Sequence, residues 1–207
     1  MIRPATAERA ALGAMQLVPV RAADVAPQPW RNGGGRTREL LAWPVGPEWR
    51  LRISLADIDA DGPFSAFAGV QRWFAVIAGA GVVLRLPGGE RRLTTASAPI
   101  SFDGADAPGC RLVAGPTRDL NLMLRAGTRS SLLRAVSGEP WSERWPWRAC
   151  FTTGPASCLG ANGQPMELGE QTLLCGLDAG PCRLDAHDPS APMFWIAADI
   201  DLAEPAA

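Results

Sequence analysis

The stretch Arg50-Leu51-Arg52-Ile53-Ser54-Leu55-Ala56-Asp57 alternates strictly: Leu51, Ile53 and Leu55 fall on one face of an extended chain, and Arg50, Arg52, Ser54 and Ala56 on the other. Successive side chains of a strand point to opposite faces, so this segment buries one face and carries polar groups on the other. Two more segments share the design. In Arg36 to Leu41, Thr37, Glu39 and Leu41 lie opposite Arg36, Arg38 and Leu40; in Asp119 to Leu124, Asp119, Asn121 and Met123 lie opposite Leu120, Leu122 and Leu124. Around them, Gly and Pro (22 and 19 of 207 residues) cut the chain into short apolar runs. A turn signal roughly every eight to twelve residues is the pattern of an all-β sandwich or barrel. Further strands are expected at 15–20, 73–78, 81–86, 100–102, 110–113, 131–136, 147–151, 172–175, 182–184 and 193–200. Ala78-Gly79-Ala80-Gly81 reads as a hairpin turn, and Pro87-Gly88-Gly89 as another. Helical pattern is confined to an alanine-rich leader, residues 1–14. The rest divides into a larger half, 15–135, and a smaller one, 136–207, with 138–148 (holding Trp141, Trp145 and Trp147) as a connector packed on the body.

Composition removes whole classes of chemistry. All 20 basic residues are arginine, there is no tyrosine, and His187 is the single histidine. Schiff-base and pyridoxal-phosphate chemistry need a lysine amine, and so does the Walker phosphate loop. Mononuclear metal sites built on two or three histidines are excluded as well. The net charge of −1 gives no basic excess for nucleic acid or an anionic membrane. Charge is uneven, with eight arginines against four acids up to Arg52, and eight acids against Arg183 alone from Gly163 onward. Two complementary solvated surfaces account for that. The five cysteines (Cys110, Cys150, Cys158, Cys175 and Cys182) form no Cys-x-x-Cys pair, so buried reduced thiols in a cytoplasmic protein are expected. Cys175 and Cys182 flank a turn and are placed to face each other across a hairpin. No apolar run reaches transmembrane length, and the leader lacks the apolar core of a signal peptide.

The segment Trp30-Arg31-Asn32-Gly33-Gly34-Gly35 with Thr37-Arg38-Glu39 is the most distinctive in the chain. Glycines there suit a shaped loop, an anion nest or a close strand crossing. This stretch resembles the opening signature of the HutD/Ves family. Trp49 to Asp57, Asp61 to Val70, Ser101-Phe102-Asp103-Gly104 and Gly115 to Met123 resemble the later family blocks in order and spacing. The likeness covers about residues 15–135. It implies a two-lobed cupin (bicupin) of antiparallel barrels, 15–135 being the first. It also implies a role in histidine utilisation through binding of a small carboxylate, with no firmly attached catalytic activity. Many cupins hold metal through histidines and a glutamate. Those histidines are missing here, so no metal or other cofactor is expected, and His187 reads as a turn residue.

Alternation alone leaves open whether the polar faces look to solvent or into a barrel. The resemblance turns Asn32, Thr37, Glu39, Arg52, Ser54 and Phe67 toward the first barrel's mouth or interior, as ligand-binding residues. Arg52 offers a planar fork for a carboxylate, or else an ion pair with Glu39. Glu39 would orient Arg52, or act as general base in an enzyme. Phe64 and Phe67 serve an apolar wall or the core. Ser54 or Ser65 as a nucleophile would lack a nearby base. The leading reading is a metal-free, small-carboxylate-binding regulator of histidine utilisation, with a formylglutamate- or urocanate-like ligand. Alternatives are a metal-independent cupin enzyme acting on a small organic acid, and a stress-induced scaffold docking a partner through surface tryptophans. The expected partner is the small ligand, not nucleic acid or membrane, and homodimerisation stays open.

Overall fold

The computed structural model describes residues 17–161 and 163–202, so the expected leader lies outside the described residues. Among the described residues, nineteen strands carry the fold. In chain order they are β1 (Val18–Arg21), β2 (Gln28–Pro29), β3 (Gly35–Trp43), β4 (Leu51–Ile58), β5 (Gly62–Pro63) and β6 (Val70–Ala78). Next come β7 (Val82–Leu86), β8 (Gly89–Leu93), β9 (Ile100–Asp103), β10 (Gly109–Leu112), β11 (Thr117–Arg125), β12 (Ser130–Ala135) and β13 (Pro140–Trp141). The last are β14 (Trp147–Thr152), β15 (Ala156–Leu159), β16 (Pro165–Leu168), β17 (Thr172–Cys175), β18 (Cys182–Ala186) and β19 (Met193–Ala198).

They form four sheets in two lobes. The first lobe pairs a six-stranded sheet, β2-β3-β4-β11-β6-β9, with a four-stranded one, β5-β10-β7-β8. The second pairs a five-stranded sheet, β1-β17-β14-β19-β12, with β13-β18-β15-β16. Each lobe has its own core, around Phe64, Phe74 and Phe102 in the first and Trp141, Leu184 and Trp195 in the second. The largest core lies between the lobes, where the outer faces of the two large sheets meet. Leu51, Ile53, Leu55, Leu120, Leu122 and Leu124 there pack with Phe151, Phe194 and Ile196. The apolar faces read from alternation are thus the backs of the first barrel.

The sheets do not divide the chain at residue 136: β1 pairs with β17 and β12 with β19, so both complete the second lobe's sheet. Ala78 to Gly81 is not a hairpin, because β6 and β7 belong to different sheets. It is a corner, and its glycines permit close crossings: a Cβ on Gly81 would lie 2.1 Å from the Leu93 carbonyl oxygen, and one on Gly79 2.5 Å from that of Pro116. Nor do Cys175 and Cys182 pair across a hairpin, since β17 and β18 also lie in different sheets. Cys175 points into the interlobe core and Cys182 into the second barrel. A bulge after Glu39 breaks the alternation of β3, so Leu40 and Leu41 both enter the interlobe core. Of the expected surface tryptophans, Trp141 and Trp147 are buried; Trp141 stacks on Trp195 with ring centroids 4.9 Å apart.

The glycine triplet serves a close strand approach. Asn32 Oδ1 accepts from the Gly34 N–H (3.0 Å) inside the turn between β2 and β3, and Gly33 takes φ of +71°. A Cβ on Gly35 would stand 2.2 Å from the Asp57 carbonyl oxygen and 3.1 Å from the Trp30 ring. At the same end of the sheet, register sets Arg36, Asp57 and Arg118 side by side on β3, β4 and β11. Asp57 accepts from Arg118 Nε (2.5 Å), Arg36 Nε (2.9 Å) and Arg38 Nη1 (2.9 Å). Burial pushes this carboxyl up, but the hydrogen bonds from Arg118, Arg36 and Arg38 prevail and hold it at about 2. Arg118 Nη1 continues to Gln171 Oε1 (2.8 Å), tying the two lobes.

Two predictions follow from the packing. Gly35→Ala should lower stability by more than ~2 kcal/mol in denaturant melts, because the methyl must displace backbone, whereas Gly33→Ala should cost ~1 kcal/mol for its left-handed φ. For Asp57, the depressed folded value means that its contribution is present above the unfolded value of ~3.9 and lost as pH falls toward 2. Acid titration of stability should therefore steepen between about pH 4 and 2 in the wild type and lose that component in Asp57→Asn.

Candidate functional site

The inner face of the six-stranded sheet is a lattice fixed by register. Arg52, Met123 and Arg72 stand in one row across β4, β11 and β6; Glu39, Ser54, Asn121 and Phe74 form the next, and Thr37, Ala56 and Asp119 the third. Neighbouring strands lie ~4.8 Å apart, so the two arginines start about 10 Å apart on the same face. Above this lattice is a cavity of about 620 Å³, lined by Arg52, Arg72, Ser54, Asn121, Thr37 and Met123 below. Trp30, Phe64 and Phe67 from the flanking loops also line it, with Gln28, Arg31 and Asn32 near its mouth.

Of the residues expected at the site, Asn32, Thr37, Arg52, Ser54 and Phe67 line this cavity. Glu39 does not; its carboxylate accepts from Arg52 Nε at 2.7 Å and orients it. Arg52 Nη1 reaches the Met123 sulfur at 3.8 Å. Thr37 accepts from the Trp30 indole N–H (2.8 Å), which sets that ring edge-on to Phe64, centroids 6.4 Å apart.

The residues that sequence reasoning missed form the floor. Arg72 is buried, with its guanidinium 4.6 Å from the centre of the Phe64 ring and 5.5 Å from that of Phe102. Its Nε and Nη2 donate to Asn121 Oδ1 at 2.8 and 2.6 Å, and the Asn121 amide donates to Asp119 Oδ1. Asp119 is fully buried, and its Oδ2 has no partner among the described residues. Burial raises the Asp119 carboxyl to about 7 against the pull of Arg72. Burial likewise lowers Arg72 to about 10, with Asp119 opposing. Asp119 and Asn121 stood on the polar face of their strand from alternation alone; Arg72 lay just ahead of the expected strand 73–78 and gave no such signal.

This geometry gives the two arginines different roles. Arg52 is largely neutralised by direct contact with Glu39. Arg72 leans on the Phe64 and Phe102 rings and its hydrogen bonds go to a neutral amide, with none from Nη1 to a described residue, so its outer edge keeps N–H groups for an anion. A divalent metal does not fit this face, because guanidiniums cannot ligate it and would repel it. Among the described residues no group of three His, Cys, Asp or Glu side chains converges anywhere. His187 pairs with Glu167 at 3.4 Å, far along the chain in the second lobe.

Comparison with known proteins agrees with this architecture. A Pseudomonas putida protein described as an uncharacterized 21.2 kDa protein in the hutC 3′ region is 39% identical over 112 residues, 52% of this chain and 58% of that one. Protein Ves of Citrobacter koseri is 34% identical over 98 residues, 46% of this chain and 51% of its own. The chain thus spans little more than half the length of these curated relatives. The solved structure of HutD from Pseudomonas fluorescens SBW25 superposes with a TM-score of 0.75 at 28% identity, covering 88% of this chain and 99% of that one. A cupin 2 conserved barrel domain protein from Leptotrichia buccalis shares the fold alone, at 10% identity and a TM-score of 0.54. The two lobes are therefore cupin-like barrels, and since the HutD family model matches residues 22–193, the chain belongs to the HutD family.

Proposed function

We propose that the first-lobe cavity binds a small organic acid anion, and that this binding serves the regulation of histidine utilisation, with a formylglutamate- or urocanate-like ligand. One observation carries the reading: Arg72, a buried guanidinium on the cavity wall, touches no carboxylate directly and keeps N–H groups toward the empty side. A buried charge without a partner is costly, and a carboxylate seated on that edge would relieve it with charge-assisted hydrogen bonds. Arg52, oriented by Glu39, is the second cation on the same wall, and Phe64 and Phe67 offer apolar contact to the ligand's carbon skeleton. Family membership and the hut-region relative supply the metabolic context. An enzyme reading would use Glu39 as proton carrier, but Glu39 lies off the cavity wall behind Arg52.

Calorimetry with formylglutamate, urocanate and related acids tests this. At least one should bind saturably, and Arg72→Gln should weaken it by about 10- to 100-fold, the worth of a charge-assisted hydrogen bond. Arg52→Gln should cost less, because Glu39 already offsets that charge. Absence of saturable heat with every acid, or full affinity in Arg72→Gln, would end the proposal.

Asp119 makes the binding depend on pH. An anion placed on Arg72 adds negative charge near Asp119, which favours its protonated form, so binding takes up protons where Asp119 is otherwise ionised. Affinity should be level below about pH 6 and fall as pH rises through the Asp119 value of about 7. Binding heats in buffers of different ionisation enthalpy should show proton uptake near pH 7.5 that vanishes in Asp119→Asn.

A further inference from the structure

The unequal spread of charge along the chain has a place in the fold. The two small sheets lie at opposite ends of the molecule, because each covers the inner face of a large sheet and the large sheets meet back to back. Each small sheet sends one set of side chains into its barrel: Leu84, Leu93 and Cys110 in the first lobe, Cys158, Leu168 and Leu184 in the second. The alternate residues face outward. Register sets Arg111, Val83 and Arg92 in one outward row across β10, β7 and β8. In the second lobe it sets Asp185, Ser157 and Glu167 in one row across β18, β15 and β16.

The two rows are counterparts. β7 pairs with β8 and β10 as β15 pairs with β16 and β18, and Val83 and Ser157 are each the second residue of the middle strand. Neighbouring strands are ~4.8 Å apart, so the end residues of each row start about 10 Å apart, with an uncharged side chain between them. The same spacing thus carries two cations at one end of the molecule and two anions at the other. Arg92 and Arg111 are exposed, and neither has an ion-pair partner among the described residues. Nearby acids are turned elsewhere: Glu90 reaches Arg85 at 3.6 Å in the next row, and Asp61 accepts from the Leu112 N–H at 2.8 Å. At the other end, Glu167 is exposed and Asp185 half-buried. Arg183 Nε reaches Asp185 at 2.9 Å from two residues back on the same strand, and His187 Nε2 reaches Glu167 at 3.4 Å. Arginine stays in excess on the first face and acid on the second.

We propose that copies of this chain associate head to tail, the basic row of one copy's first lobe seated on the acidic row of the next copy's second lobe. Charge selects this occupant: two cations on one face are relieved by anions at the same spacing, and the chain itself carries that spacing. Each row has one sign at both ends, so the rows match in either direction. The net charge of −1 leaves whole copies little mutual repulsion. Faces at opposite ends cannot meet twice within one two-fold dimer, so the contact is heterologous and builds short open chains. Exposed ion pairs are individually weak and screened by salt, so the association is weak and salt-sensitive. None of the four charged residues lines the first-lobe cavity, so this contact is independent of ligand binding there.

Sedimentation of the full chain over a range of protein concentrations near pH 7 tests this. At about 0.01 M salt, where charges act over ~30 Å, the average mass should rise with protein concentration; at about 1 M, where they act over ~3 Å, it should stay that of the monomer. Arg92→Glu with Arg111→Glu should weaken self-association by about tenfold or more, and so should Glu167→Arg with Asp185→Arg. All four changes in one chain exchange the signs of the two faces at unchanged net charge and should restore association. Arg50→Glu with Arg134→Glu, exposed arginines on neither small sheet, alters net charge as the first variant does and should weaken association less. Circular dichroism checks the fold of each variant. Equal weakening by that control, or a folded four-change chain that stays monomeric, would overturn the proposal. So would a wild type that stays monomeric at low salt, or association that survives high salt, results that need no variant to fold.

Discussion

The apolar seam between the two large sheets is the constraint on which the site depends. Each fully buried leucine or phenylalanine there stabilises the fold by roughly 1.5–3 kcal/mol relative to exposure, and the seam contains more than a dozen buried apolar side chains. Because side chains alternate, committing Leu51, Ile53 and Leu55 to the seam sends Arg52, Ser54 and Ala56 to the opposite face without further choice. The same holds for β11, where Leu120, Leu122 and Leu124 send Asp119, Asn121 and Met123 inward. A slip of one residue in either strand would bury arginine or aspartate in the seam and expose leucine in the cavity. Polar groups are thus assembled by apolar packing behind them, and register then places Arg52, Met123 and Arg72 in line.

Much of this was legible in the chain and some was not, for physical reasons. Strands with one committed apolar face were found because alternation reports burial; β4, β11 and β17 lie within a residue or two of their expected bounds. β8 was missed because Glu90, Arg91 and Arg92 are all exposed, so the strand has no buried alternation to read. β15 (Ala156–Leu159) and β16 (Pro165–Leu168) were missed because neither holds the β-branched or aromatic residues that mark a strand. The bulge in β3 was invisible as well, because Leu40-Leu41 looks like any apolar pair until its partner strand is known. Long-range pairing was the largest gap: nothing local in Val18 to Arg21 says that its partner is Thr172 to Cys175. At the site, alternation gave Arg52, Ser54, Asp119 and Asn121 a shared character. It could not say that Arg72, two strands away, completes the row, because that is a fact of register.

The two barrels meet the same problem, a guanidinium inside a wall, and resolve it differently. In the first, Arg72 leans on aromatic rings and an amide, and the carboxylate that balances it, Asp119, is held one residue back behind Asn121. Direct contact would have closed the pair and left nothing for a ligand to do. The intervening amide passes on part of the attraction while leaving the outer edge of the guanidinium unsatisfied. In the second barrel, Arg148 is enclosed by backbone carbonyls that fix the Asp178–Gly180 turn, and Trp141 and Trp195 fill the space that is open in the first lobe. Carbonyl dipoles satisfy hydrogen bonds but do not cancel a unit charge, so the field of Arg148 persists inside the barrel. The groups near enough to respond are thiols, which can ionise where a hydroxyl could not. An arginine surrounded by acceptors but lacking an anion therefore acts on the acidic hydrogens around it, and its charge opposes the burial that raises the Cys182 thiol.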